Sequence, residues 1–195
     1  MKLRVIIVSS LLSMLGGFYS CKNSGPKDKP NLEVLEYSKA LTSADSCWTK
    51  MIASDDNKFH NMMRLTEELL LIDGCDSLAV QLAKIEIEKA QSLRYSRERI
   101  GEKGAIERHD SLTDQTLASL RKEVARNPNA ISFQIVNQLV SEINQADDSV
   151  LFYRKDYDHQ IDKLNLLLKS KKREIAQGIP SVDSIESFPV FRLNP

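Results

Sequence analysis

The chain has 195 residues, with 27 lysines and arginines against 27 aspartates and glutamates. That balance excludes a general nucleic-acid binder, which presents a basic excess to phosphates. Between Asn31 and Gln177 there is a single proline, Pro128, so the middle of the chain can run in long helices.

Lys2 and Arg4 open the chain, Val5 to Leu15 is mostly apolar, and Gly16-Gly17 follows. A charged start, a short apolar run and small residues make a secretory signal pattern. The run is too short for a spanning helix, which needs ~20 residues. Ser20 precedes Cys21 in "GGFYSCKNSG", which resembles a bacterial lipobox with Phe18 and Tyr19 in place of the usual smaller residues. This reading makes residues 1–20 a signal peptide and Cys21 the lipidated first residue of the mature chain. The alternatives are an ordinary signal peptide with an incidental cysteine, and an uncleaved anchor. Cleavage would leave 175 residues, one domain's worth, with 25 basic and 27 acidic side chains. Lys22 stands where an Asp would retain a lipoprotein at the inner membrane, which fits outer-membrane sorting in bacteria that follow that rule.

Residues 21–30 (CKNSGPKDKP) read as the lipidated cysteine and a flexible tether, because nothing after Cys21 can be buried. A first helix is expected from Asn31 or Leu32. Val34, Tyr37, Leu41, Ala44, Trp48 and Ile52 recur at helical spacing, and Phe59, Met62 or Met63, and Leu69-Leu70 resume it after the polar Asp55-Asp56-Asn57. Gly74 ends the run, and Asp76 can cap a second helix carrying Leu78, Leu82, Ile85, Lys89 and Leu93. "RYSRERIGEKGAIERH" (94–109) reads as a loop or frayed end. A third helix is expected from Asp110 or Ser111, with Leu117, Leu120 and Val124 inside, until Asn127-Pro128-Asn129 breaks it.

The last helix carries the clearest stripe: Ile135, Leu139, Ile143, Ala146, Val150, Tyr153, Tyr157, Ile161, Leu164 and Leu168. Nine steps cover 33 residues, ~3.67 per step, which predicts a long and nearly straight helix rather than a heptad coil. The pattern predicts an all-α, elongated antiparallel bundle of about four helices over 31–175, the first and last long. An extended tail, 176–195, follows. In an up-down-up-down order the last helix returns to the membrane end, and the loop joining the shorter second and third helices lies partway along the rod. Cys47 and Cys75 would be ~42 Å apart on one helix, too far to bond, and read as packed thiols.

The stretch "NPNAISFQIVNQLVSEINQADDSVLFYRKDYDHQIDKLN" (127–165) resembles the LemA family. Pro128, Leu139, the acidic Asp147, Arg154, Tyr157 and Asn165 match that family's progression, and Trp48 in "ADSCW" matches its first helix. The resemblance covers roughly 32–175. It implies a membrane-attached, elongated antiparallel helical bundle facing the cell envelope, with no established enzyme activity and no catalytic residue to carry over.

Several residues stand out. Asp147 and Arg154, two turns apart beside the apolar stripe, need partners if buried; they read as an interhelix clamp, or as a binding groove. Lys169, Lys171, Lys172 and Arg173 suit a helix C-terminus, and the topology also offers them to anionic lipid headgroups. Phe188 and Phe191 in the apolar tail "SFPVFRLNP" either pack back on the bundle or dock a partner. Met51, Met62 and Met63 read as core rather than as an adaptable binding face. Asp158, His159 and Asp162 share a helix face but read as solvated rather than as metal ligands, and His60 and His109 read as surface residues.

The sequence thus points to a membrane-anchored cell-envelope lipoprotein acting as a helical interaction or scaffold protein. It would sit in the cell membrane or outer membrane and face the periplasm or exterior. An envelope protein is its expected partner. No catalysis, cofactor, metal or nucleic acid is expected. The alternative is a small-molecule or lipid-binding module using a groove between helices.

Overall fold

The computed structural model describes residues 31–102 and 104–191. The expected signal peptide, Cys21, the tether and the last four residues lie outside these. The described residues form helices α1 (Leu32–Leu70), α2 (Ser77–Ser92), α3 (Ala105–Arg126), α4 (Pro128–Ser132) and α5 (Gln134–Gly178), with 3-10 turns at Arg97–Arg99 and Pro180–Ser184. The architecture is the expected all-helical bundle with long first and last members. At 1.5 Å per residue, the 45 residues of α5 reach roughly 67 Å.

Local chemistry sets the ends. Asn31 caps α1, its Oδ1 accepting from Glu33 N (3.0 Å) and Val34 N (3.2 Å), and its Nδ2 donates to the Glu174 carbonyl of α5 (2.8 Å). The start of α1 therefore lies beside the end of α5. There a Cβ on Gly178 would come within 2.8 Å of Val34 Cγ2, so glycine permits the close approach. At the other end Gly74 turns the chain with φ +87°, and Asp76 caps α2. Asn127 Nδ2 donates to the Asp73 carbonyl at 3.0 Å, joining the α1–α2 turn to the α3–α4 turn.

The rod has two cores. In the distal one α1, α2, α3 and α5 pack together through Phe59, Met62, Leu65, Ile87, Leu120, Leu139 and Ile143. In the proximal one α1 and α5 pair alone, through Tyr37, Ala44, Met51, Tyr157, Ile161, Leu164 and Ile175. A two-helix pair cannot enclose a stripe, and here two irregular segments complete it. Tyr95 and Ile100 come from the α2–α3 connection, and Val182 and Phe191 from the chain beyond α5.

Helix α1 runs on through Asp55-Asp56-Asn57, with Asp55 buried within it. Four expectations are corrected. In α2 the expected stripe is the outer one: Leu78, Leu82, Ile85 and Leu93 are exposed, while Val80, Ala83, Ile87 and Ala90 face the core. Small alanines let α2 sit close to its neighbours, so the bulkier leucines are turned out. The 94–109 stretch is no frayed end, since Tyr95, Ile100, Ala105 and His109 are buried. Helix α3 begins five residues before Asp110, after Gly104 in the left-handed region at φ +78°. Finally, α5 leaves helical geometry at Lys171 (φ −136°, ψ 19°), so the helix expected to be nearly straight is broken near its end.

Candidate functional site at the waist of the rod

Between the two cores lies a girdle of buried charge drawn from four elements. Asp55 and Lys58 come from α1, Arg94 and Tyr95 from the connection, His109 and Asp110 from α3, and Asp147 and Arg154 from α5. Arg154 is 2% exposed. Its Nη1 donates to Asp110 Oδ2 at 2.6 Å and its Nη2 to Asp110 Oδ1 at 2.8 Å, a two-point pair that also reaches the Tyr95 hydroxyl. Lys58 Nζ lies 3.2 Å from Asp55 Oδ1 and 3.1 Å from Asp147 Oδ1. Arg94 Nε lies 2.8 Å from Asp55 Oδ2, off the hydrogen-bonding direction. Three acids thus face three bases, so burial leaves no net charge from these six groups.

His109, 1% exposed, completes the girdle. Its ring packs edge-on to Phe59 and Tyr95, and Nδ1 lies 3.2 Å from Asp110 Oδ1. A carboxylate only accepts, so Nδ1 carries the donated proton. Nε2 sits 3.8 Å from Asp55 Oδ2 without a hydrogen bond. Burial alone would raise the Asp110 carboxyl, but hydrogen bonds from His109 and Arg154 outweigh it and hold the group well below the usual carboxylate range. Burial pushes the Tyr95 phenol well above its ordinary value despite Arg154. Burial, Asp147 and Asp110 together raise Asp114.

Directly below the girdle is an aromatic box. Trp48, Tyr95 and Tyr157 surround the Phe191 ring, with centroids 6.1, 5.6 and 5.5 Å away; Trp48 stacks on it and the tyrosines meet it edge-on. Arg154 lies over Phe191 at 5.3 Å, and Arg97 over Tyr157 at 5.2 Å. Arg97 Nε donates to the Tyr157 hydroxyl at 3.2 Å, and its other end pairs with Asp45. The arrangement holds a planar apolar group among π faces and cations.

The sequence-derived candidates fall out as follows. Asp147 and Arg154 are not brought together; each bridges α5 to a different helix, Asp147 to α1 and Arg154 to α3. Phe191 does not project for a partner but is buried, 6% exposed, and Phe188 is half-buried. Asp158 accepts from Phe191 N at 2.7 Å. Lys171 lies 3.9 Å from Glu33 and 4.0 Å from Glu174, Lys169 and Arg173 are exposed, and Lys172 is half-buried. Met51 and Met62 are core and Met63 is half-buried against it. Cys47 and Cys75 are free, and burial and Asp156 push the Cys47 thiol up. Between α1 and α5 a shallow groove of about 530 Å³ is lined by Lys39, Ala40, Ser43, Lys163, Leu166 and Leu167.

Sequence reasoning missed Asp55, Lys58 and Tyr95 and placed His109 on the surface. A signal was present. Met51, Asp55 and Phe59 are four apart, as are Ala105, His109 and Thr113, so the polar residues occupy core positions of unbroken stripes.

Comparison with family models, curated proteins and solved structures finds no match. Of the residues that carry the LemA resemblance, Trp48, Arg154 and Tyr157 converge at this waist, and Asn165 lies two turns further along α5.

Proposed function

We propose that the chain is a LemA-like, lipid-anchored cell-envelope protein, held to a membrane through Cys21 and working as a helical interaction or scaffold element. No catalytic residue is assigned to it. The observation that supports the reading is the meeting of the start of α1 with the end of α5, through Asn31 and Glu174 and through Glu33 and Lys171. The described chain begins at that end, the basic residues Lys169, Lys171, Lys172 and Arg173 lie near it on α5, and the waist and distal core lie further along the rod. Among the described residues no helix is long and apolar enough to cross a membrane, so attachment in this reading rests on the lipid, at ~0.8 kcal/mol per buried CH₂.

Cross-linking in living cells tests this, with wild type beside Cys21→Ser. One abundant captured protein, lost when the anchor is lost, is the expected result. No capture in either strain overturns it and favours the second reading, a module for an anionic amphiphile in the α1–α5 groove. That groove joins Lys39 and Lys163, with Glu36 beside them, to an apolar floor of Ala40 and Leu167. A retained ligand in native mass measurement would mark that case.

A further inference from the structure

The chain beyond α5 is held as a bound peptide would be. Residues 188–191 run antiparallel to α5. Asn165 uses both ends of its amide on one residue: Phe188 N donates to its Oδ1 at 2.8 Å, and its Nδ2 donates to the Phe188 carbonyl at 3.0 Å. Seven residues earlier on α5, Asp158 Oδ1 accepts from Phe191 N. Two helical turns rise about 10.5 Å, and three extended residues span about 10 Å. The two polar side chains on α5 are therefore spaced to meet the backbone of residues i and i+3 of an extended strand. Pro189, which has no N–H, sits between them where none is needed.

Those three hydrogen bonds read main chain and impose no sequence. Selectivity comes from the box of Trp48, Tyr95 and Tyr157, which takes the ring at i+3. A cleft of about 710 Å³ runs alongside, bounded by Ile100 and Gly101 on one side and by Asp162, Asn165 and Lys169 on the other. The tail's hold on the rod is local, made by Ile185, Phe188, Val190 and Phe191 against the proximal core. Asp183, Ser184, Glu186 and Ser187 are exposed, and Val182, which anchors the preceding turn, need not move when residues 187–191 leave.

We propose that the face of α5 carrying Asp158 and Asn165, together with the aromatic box, is a recognition site for an extended protein segment with an aromatic residue at its i+3 position, and that residues 187–191 are its built-in occupant. A partner segment of that chemistry binds by exchange with the tail. The inference rests on the reading of the chain as an interaction protein and names the contact it would use.

The test is binding of a labelled, amidated peptide, IESFPVF (residues 185–191), to the purified chain. Wild type, with its site filled, binds weakly. Phe191→Ala vacates the box and binds at least tenfold tighter, and the gain disappears in Phe191→Ala combined with Asn165→Ala. A peptide with alanine for its final phenylalanine binds at least tenfold more weakly. A helical Phe191→Ala chain that fails to bind, or binds no better than wild type, overturns the proposal. Should that variant not fold, a protease site placed after Ser184 and cut after folding gives the same decision. The cut chain takes up labelled peptide as its own tail leaves, and no exchange overturns the idea. Neither readout involves Cys21, so failure here is distinct from failure of the anchor in the cell experiment.

Discussion

Arg154 of α5 and Asp110 of α3 form a two-point pair, with contacts of 2.6 and 2.8 Å, beneath the Tyr95 ring. Removing one partner of a fully buried pair costs about 3–5 kcal/mol; the Asp110 side chain keeps 32% of its surface exposed, so loss of Arg154 falls at the lower end, about 3 kcal/mol. In a chain of this size that corresponds to a Tm drop on the order of 10 °C. Arg154→Ala should show it by circular dichroism; an unchanged melt would sink the idea that the residue clamps the helices. Arg154→Met combined with Asp110→Leu should melt higher than Arg154→Met alone, because no stranded carboxylate remains.

Asp147 and Arg154 act through separate partners, Lys58 and Asp110. Their substitutions should therefore add. Asp147→Asn with Arg154→Met is expected to equal the sum of the single changes to within about 0.5 kcal/mol. Lys58→Met with Asp147→Asn should depart from additivity, since those side chains share a contact of 3.1 Å. A large coupling between Asp147 and Arg154 in denaturant melts would show a direct clamp between them instead.

Acid should weaken the waist through Asp110. Its carboxyl titrates below its ordinary value of 3.8, with burial opposing and the bonds from His109 and Arg154 prevailing. A depressed acid stabilises the fold above the unfolded-state value and loses that contribution as pH falls through the folded-state value. The Tm difference between wild type and Asp110→Asn should be full at neutral pH and shrink progressively below 3.8. Asp114 carries the opposite sign, being raised by burial, Asp147 and Asp110. Asp114→Asn should raise Tm at pH 7 and lose that gain in acid. A wild-type to Asp110→Asn difference that stays constant with pH would exclude the linkage.

The α5 stripe was legible because large apolar residues repeat without competitors for a whole helix. The order of the four longer helices followed from the breaks at Gly74, at the 94–109 stretch and at Asn127-Pro128. Helix α2 misled because it has two apolar faces. Its leucines outweigh Val80 and Ala83 on any hydrophobic scale, yet close packing selects the small face. The waist was hidden for a different reason. Asp55, Lys58 and His109 are polar residues at core positions, stable there only because four separated segments supply one another's partners. Asp147 and Arg154 signalled this in advance, and their partners lay on α1 and α3 rather than on α5. The tail's apolar content showed that Phe188 and Phe191 needed cover. Nothing local showed that the two-helix half of the rod needed them.

The Phe191 side chain contributes roughly 1.5–3 kcal/mol of burial to the proximal core. Its loss should be felt locally, because the tail can open without unfolding the distal core. In Phe191→Ala, hydrogen exchange should accelerate at the Phe188 amide, which donates to Asn165 Oδ1. Amides around Leu139 and Ile143 should keep wild-type protection. Equal acceleration at both places would mean that the rod opens as one unit and that the tail is part of its global fold.

The basic residues at the end of α5 offer the last test. Lys169 and Arg173 are exposed, and among the described residues Lys171 reaches Glu33 at 3.9 Å and Glu174 at 4.0 Å, so positive charge remains available at the end where α1 begins. Near an anionic surface each such residue contributes about 1 kcal/mol, screened beyond a Debye length. The unlipidated chain should therefore bind vesicles of mixed neutral and anionic phospholipid weakly, and release them as salt is raised. Lys169→Glu with Lys172→Glu should abolish the binding while leaving the melt unchanged, because neither side chain forms an ion pair among the described residues. Unaltered vesicle binding by this double variant would exclude the basic run and assign the contact to another surface of the chain.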